Sequence, residues 1–394
     1  MDEKIKGKAK IEYEIFSENS ETIINDIERA TQVNNSGDKI CYTIGFNNVV
    51  IINNLEGSNA LLKVKDIFFE DSFIYKNYTM KQLQDEIIKH RLFGSDEDFE
   101  SIIKSLTDVE KKEHKVFLPV YGVAINANVN FEGIKFISKE SLSSILKEEN
   151  RKLLSDRIDT NVYSQITIKS ASKNRAVELG IMRIERIINV LRFFTNSKKR
   201  SADLSLNSSL KIRKDGIAIS EQQTFRTSSY IGAIHPIKLD DEYFTSNNKL
   251  NKVISIENKQ SKKTDMEKRV LMAVQWLGMS LSEDDYGMKF TKAMISIEAL
   301  LQTNTETFSD KLSDTIAFIL EENKENRLAV KKDFKLLYGM RSKISHGEHN
   351  SIGTYDLYLL LEYATLLIHW TIENVDKFNT IEELNAYINE LKFS

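Results

Sequence analysis

Three side chains near the C-terminus have the types and spacing for phosphate chemistry: Arg341, Ser342 and His346, within FKLLYGMRSKISHG (334–347). A guanidinium is planar, keeps its charge at any working pH and can hold a phosphate through two parallel hydrogen bonds. An imidazole gives or takes a proton near neutrality. RNA brings its own nucleophile, the ribose 2′-OH, so cleaving it needs little beyond these groups and no metal. The plainer alternative is a solvated helix end, with the imidazole as a cap and the arginine paired to a neighbouring carboxylate. Spacing alone does not choose between them.

The element that must carry these residues is a helix. Phe334, Leu337, Tyr338 and Ile344 recur at helical spacing, and Gly347 is a good stop, which places His346 in the last turn. Arg341 lies five residues earlier, about 7–8 Å along the axis and about 500° around it. The two side chains therefore point different ways. Either the last turn is distorted or something facing this helix completes the site. A second helix contains ISIEALL (295–301). There Glu298 falls within an apolar face of Met294, Ile297 and Leu301, and a buried carboxylate needs a partner. Arg341 is the candidate; the other possibility is that Glu298 lies just off the stripe, in water.

LYGMRSKISHG together with ISIEALL resembles the C-terminal HEPN domain of the Apea-like group of bacterial proteins, over about residues 262–394. Its motif is an aromatic shortly before Arg-Ser, four residues between Arg and His, and Gly after His. The resemblance implies a small helical bundle that dimerises and, in many members, a metal-independent endoribonuclease of phage defence or growth arrest. Arg341 and His346 match the Arg-x(4–6)-His pair, Ser342 the polar position after the Arg, and Glu298 the acidic residue of the preceding helix. The expected partners are an RNA substrate, tRNA among the candidates, and a second copy of the chain, whose symmetry-related helix would complete the site. An unknown phage or host trigger would act on the N-terminal region. No cofactor and no metal are expected. The rival reading is a HEPN-like module that binds a nucleotide or RNA, or assembles, without cleaving.

Bulk properties narrow the setting. At 394 residues the chain is long enough for two or three cores. Hydrophobic content of 41% and charged content of 29% are those of an ordinary globular protein. Only two prolines and fifteen glycines argue for much helix and few long linkers. A net charge of −3 supplies no global attraction for nucleic acid, so an RNA site must be local. The single Cys41 excludes an intrachain disulfide framework and, with no membrane span or signal peptide in view, fits the cytoplasm. There is no Walker A, G-x-G-x-x-G or G-x-S-x-G motif. His346-x-x-His349 lacks a third ligand and helical spacing for a metal.

Patterning predicts an α+β protein: a mixed sheet and helix region over 1–260 acting as sensor or regulator, then an all-α bundle over 261–394. In the first part a short helix is expected near 21–30, a strand pair over 39–54 and an extended segment over 61–69. Helices are expected at 79–92 and 96–106, the latter capped by Ser95. Alternating residues over 116–138 read as strand, with a turn at 130–133. A helix at 139–154, a strand at 162–169 and a long amphipathic helix at 174–196 follow, the last with Leu179, Met182, Ile187, Val190, Leu191 and Phe194 on one face. The basic run Lys198, Lys199, Arg200 is a solvated loop or an RNA backbone contact. Residues 209–236 read as a hairpin and 241–262 as a polar boundary. Six helices then follow at 264–281, 288–302, 308–322, 327–346, 354–375 and 380–393. Thr264 with Glu267 forms a capping box, and Asp284-Asp285 precede a helix start. Tyr355, Tyr358 and Tyr363 are candidates for a dimer face, and His369 with Trp370 for core or interface.

Overall fold

The computed structural model describes residues 1–26, 28–29, 32, 40–44, 48–93, 99–131, 133–146, 160–195, 205–206, 213–220, 223–230, 236–259, 261–302, 308–346 and 352–393. The fold is α+β: small antiparallel sheets lie in the N-terminal region, and a largely helical part follows. By packing, the chain divides into one unit of Met1–Val116 with Thr167–Met182 and another of Phe117–Ile166 with Arg183–Ser394.

In the first unit, helix α1 (Glu3–Glu18) precedes strands β1 (Ser20–Ile23), β2 (Ile40–Ile44) and β3 (Asn48–Ile52), which form an antiparallel sheet in the order β1-β3-β2. The β2–β3 pair is the one expected over 39–54. Of the helix expected near 21–30, residues 21–23 lie instead in strand β1, because Ile23 gains a buried place against β3 that a local helix would not give it. The extended segment expected over 61–69 lies within helix α2 (Leu55–Glu70). Its buried Gly57, Ala60, Leu61, Val64, Lys65 and Phe68 follow helical spacing, and Asn54 caps it by accepting from Gly57 N–H. A side chain at Gly57 would meet Asn19 Cβ at 2.8 Å, so glycine lets α2 lie close to the end of α1.

Helices α3 (Ser72–Asn77), α4 (Met80–Phe93) and α5 (Phe99–Thr107) complete this core, with Phe68, Leu83, Ile87, Ile102 and Leu106 buried. Ser95, expected to cap α5, lies outside the described residues. His90 is bonded through both ring nitrogens. Its Nδ1 meets Tyr13 OH at 3.3 Å and its Nε2 bonds Ser101 Oγ, linking α1, α4 and α5. His114 Nε2 likewise bonds Ser170 O at 3.0 Å.

The chain passes between units within β4 (Lys112–Val120), β8 (Val162–Ser170) and α7 (Lys173–Thr195). The strand signal over 116–138 resolves into β4, β5 (Val123–Ala124), β6 (Val129–Phe131) and β7 (Ile134–Ser138), the last two a hairpin turned at Gly133, φ +79°. The break between β4 and β5 falls at Gly122, φ +73°, a conformation that interrupts an extended run. Of the helix expected at 139–154, the described part is α6 (Lys139–Ile145). On α7 the expected face is buried at Ile187, Val190 and Leu191, while Met182 is exposed. Strands β9 (Arg213–Ser220) and β10 (Gln223–Tyr230) form the expected hairpin, and β11 (Ile237–Lys238) pairs with β5.

Residues 241–258, read as polar connection, fold as α8 (Asp241–Ser246) and α9 (Asn248–Asn258). Leu250, Val253, Ile254 and Ile256 are buried there, and α9 packs on the helices now labelled α10 (Asp265–Leu281) and α14 (Thr354–Asn374). The other bundle helices are α11 (Tyr286–Leu301), α12 (Phe308–Leu320), α13 (Lys324–Ser345) and α15 (Ile381–Phe393). Thr264 and Glu267 make the expected capping box at α10. Asp285 caps α11 by accepting from Met288 N–H at 2.8 Å.

In the second unit α7 and α10 approach each other closely. A Cβ at Gly278 would sit 2.3 Å from Asn189 O, and beside it Asn189 Nδ2 donates to Gln275 Oε1 at 3.1 Å. Because backbone cannot yield as a side-chain tip can, Gly278→Ala is expected to lower unfolding free energy by about 3 kcal/mol, read from urea melts.

Where α14 meets α7, His369 packs on Phe193 and Phe194, with ring centroids at 4.8 and 5.8 Å. Burial first, then Lys249, pushes its pKa below the ordinary value, while Glu373 opposes. A depressed histidine contributes stability above the unfolded-state pKa of about 6.5 that is lost as pH falls. The melting temperature of His369→Phe should therefore fall less between pH 7.5 and 5.5 than that of the wild type.

Candidate functional site

Helix α13 is set in the bundle by Val330, Phe334 and Leu337, all buried, and is capped at its start by Asn323, which accepts from Asn326 N–H at 2.8 Å. Helix α11 faces it, held by buried Phe290, Ala293, Met294, Ile297, Leu300 and Leu301. Glu298 belongs to this inward face, 8% exposed. From α13 the Arg341 guanidinium reaches it: Nε lies 3.3 Å from Oε1, and Nη2 donates to Oε2 at 3.4 Å. Of the two placements open to Glu298, the structure has the buried and paired one. The Arg341 side chain keeps 32% of its surface toward solvent.

Burial raises the Glu298 pKa above the usual carboxylate value even though Arg341 pulls it down. Tyr338, one turn before Arg341, is half-buried in the same group. Its phenol is pushed up by burial and by the Glu298 charge, and drawn back by Arg341. In the sequence Tyr338 reads as a packing residue and as the aromatic that precedes Arg-Ser, with no role in the site. Its spacing of three from Arg341 was the signal that it shares the arginine's face.

Helix α13 ends at Ser345, so His346 is its C-cap (φ −89°, ψ 6°) rather than part of the last turn. Its backbone N–H donates to Ser342 O at 3.1 Å and Lys343 O at 3.2 Å. The side chains of Ser342 and His346 are exposed. The structure thus joins Arg341 to Glu298, and places Ser342 and His346 on the solvent face of the same helix end. Gly347, His349 and the 198–200 basic run lie outside the described residues. Of the three tyrosines on α14, Tyr355 and Tyr358 are exposed, whereas Tyr363 is buried with its hydroxyl 3.5 Å from Asp333 Oδ2.

Among the described residues no group of His, Cys, Asp or Glu is arranged to hold a metal ion, and no helix is long and apolar enough to cross a membrane. No protein-family model, no curated protein and no solved structure matches this chain.

An open guanidinium backed by a buried carboxylate, with a phenol beside it and an imidazole at the helix end, can grip an oxyanion and exchange a proton with solvent. The pair also leaves a pH signature. A carboxyl group whose pKa is raised in the fold destabilises it as pH climbs through that value, and removing Arg341 strengthens the effect. Arg341→Ala should therefore lose about 1–3 kcal/mol at pH 7. The loss should shrink at pH 5, where Glu298 is more readily protonated; paired denaturant melts at the two pH values measure it.

Proposed function

We propose that the chain is a metal-independent endoribonuclease with a HEPN-like C-terminal bundle of the Apea-like kind. In this reading it works as a homodimer in the cytoplasm and serves antiphage defence or growth arrest. The observation that carries the reading is the Arg341 guanidinium, anchored from within by Glu298, part-open to solvent, and followed by exposed Ser342 and His346 at the same helix end.

In the proposed reaction Arg341 binds the scissile phosphate and stabilises the charge that gathers on it. His346 takes the proton from the ribose 2′-OH as that oxygen attacks phosphorus. The P–O5′ bond breaks, and the departing oxygen takes a proton from a second acid, for which the partner copy's helix end is suited. One product strand ends in a 2′,3′-cyclic phosphate and the other begins with a 5′-OH. Glu298 holds the guanidinium in place, and Ser342 adds a hydroxyl donor at the mouth. An active ribonuclease endangers its own cell, so the N-terminal region would restrain it until a trigger arrives.

A second reading is nucleotide or RNA binding without cleavage, favoured by one observation: Glu298 engages the Nε–Nη2 side of Arg341, which lowers its pull on a phosphate. Cleavage assays decide between them. Full-length protein, with cell extract from infected cultures supplying a trigger, should cut single-stranded RNA or tRNA in EDTA and leave cyclic phosphate ends. Arg341→Ala and His346→Ala should each reduce cutting at least a hundredfold while circular dichroism and sedimentation stay unchanged. Tight RNA binding with no cutting under any of these conditions supports the second reading instead.

A further inference from the structure

If the site is built for phosphate, the charge beneath it also selects which phosphate. Arg341 contributes one positive charge and Glu298, at 3.3 Å, one negative. The group that acts on Glu298 from the facing helix is Arg341, and Tyr338 on the same helix feels the Glu298 charge in turn. With Glu298 ionised the pair carries no net charge. Glu298 is 8% exposed and fixed on an apolar helix face, so neither water nor salt screens it well from an anion bound on the guanidinium.

A phosphate within a nucleic-acid strand carries one negative charge. A terminal phosphomonoester carries nearly two above its second pKa of about 6. For the second, the attraction of Arg341 and the repulsion of Glu298 both double, while the cost of leaving water rises about fourfold with the square of the charge, and a pair of zero net charge offsets little of it. We infer that Glu298 is a specificity-determining residue, whose carboxylate fits the site to the singly charged phosphodiester inside a strand and rejects the doubly charged phosphate at a strand end. This rests on the ribonuclease reading and makes the cut internal. Burial already raises the Glu298 pKa, so a dianion can be admitted when the carboxyl group takes up a proton.

The test is calorimetric titration of the full chain at pH 8 with two probes, a 2′-deoxynucleoside 3′-phosphate and its methyl ester. Neither has a 2′-OH, so neither can be cleaved, and they differ by one charge and one methyl group. The wild type should bind the methyl ester at least tenfold more tightly. In Glu298→Gln that preference should vanish or invert, mainly because the monoester gains. A second measurement needs no variant: wild-type binding of the monoester should take up a proton and binding of the ester should not, read from heats in buffers of different ionisation enthalpy. Equal wild-type affinity for the two probes, an unchanged ratio in folded Glu298→Gln, or no difference in proton uptake overturns the inference while leaving the ribonuclease reading standing. Binding of the ester that is the same in Arg341→Ala removes both, as does failure of the wild type to bind either probe.

Discussion

Glu298 is on a helix whose Phe290, Met294, Ile297 and Leu301 are buried, with 8% of its own surface exposed, and an ionised carboxylate in that setting must find positive charge close by. Taking such a group out of water costs several kcal/mol, and the attraction of a guanidinium at 3.3 Å is of the same order, about 4–5 kcal/mol at an effective dielectric constant of 20. The pair is therefore close to neutral for stability. Its larger consequence is positional. Arg341 can meet Glu298 only if α13 keeps its rotation and height against α11, and that sets which residues of the helix end face outward.

The same pairing shapes the chemistry open to the site. Lysine would neutralise Glu298 as a point charge, whereas guanidinium can turn one edge inward and still present another to solvent. A partly open arginine with a buried carboxylate behind it is held before any ligand arrives, so less side-chain freedom is lost on binding. In a chain of net charge −3 attraction for an anion has to be local, and the solvent-facing edge of Arg341 is where it is offered.

Much of the bundle was legible because its helices are long, periodic and capped by readable residues, as Thr264 with Glu267 and Asp285 illustrate. The strand pairs over 40–52 and 213–230 were legible for a similar reason, β-rich runs with a break in the pattern between them. Failures came where tertiary packing outweighed local pattern. LLKVKDIFF alternates as a strand would, yet Leu61, Val64, Lys65 and Phe68 also share one helix face, and the cap at Asn54 settles the competition. Ser20–Ile23 is a strand because β3 offers it an edge, a fact absent from its own residues. In 241–258 the many Asn and Lys residues hid four buried aliphatics at helical spacing. The Arg341–Glu298 contact was legible as one of two options, since an acid on an apolar face requires a partner. Tyr338 was legible as the aromatic before Arg-Ser, but not its place beside Glu298, because an aromatic in that position is usually just packing.

What remains is the relation between Arg341 and His346. The arginine turns inward to α11, while the histidine caps the helix and faces solvent. Ideal geometry already places them about 500° apart around the axis, and ending the helix before His346 does not bring them onto one face. Transesterification at phosphorus needs a base at the 2′-OH, an acid at the departing oxygen on the opposite side, and positive charge on the oxygens between. One helix end supplies a single imidazole. On the ribonuclease reading, the two sides of the phosphate are then served by two copies of the same surface related by a two-fold axis, each lending its exposed histidine to a centre flanked by both arginines. On that reading one chain would supply half of a site: charge held firmly from behind by Glu298, and an exposed imidazole facing outward.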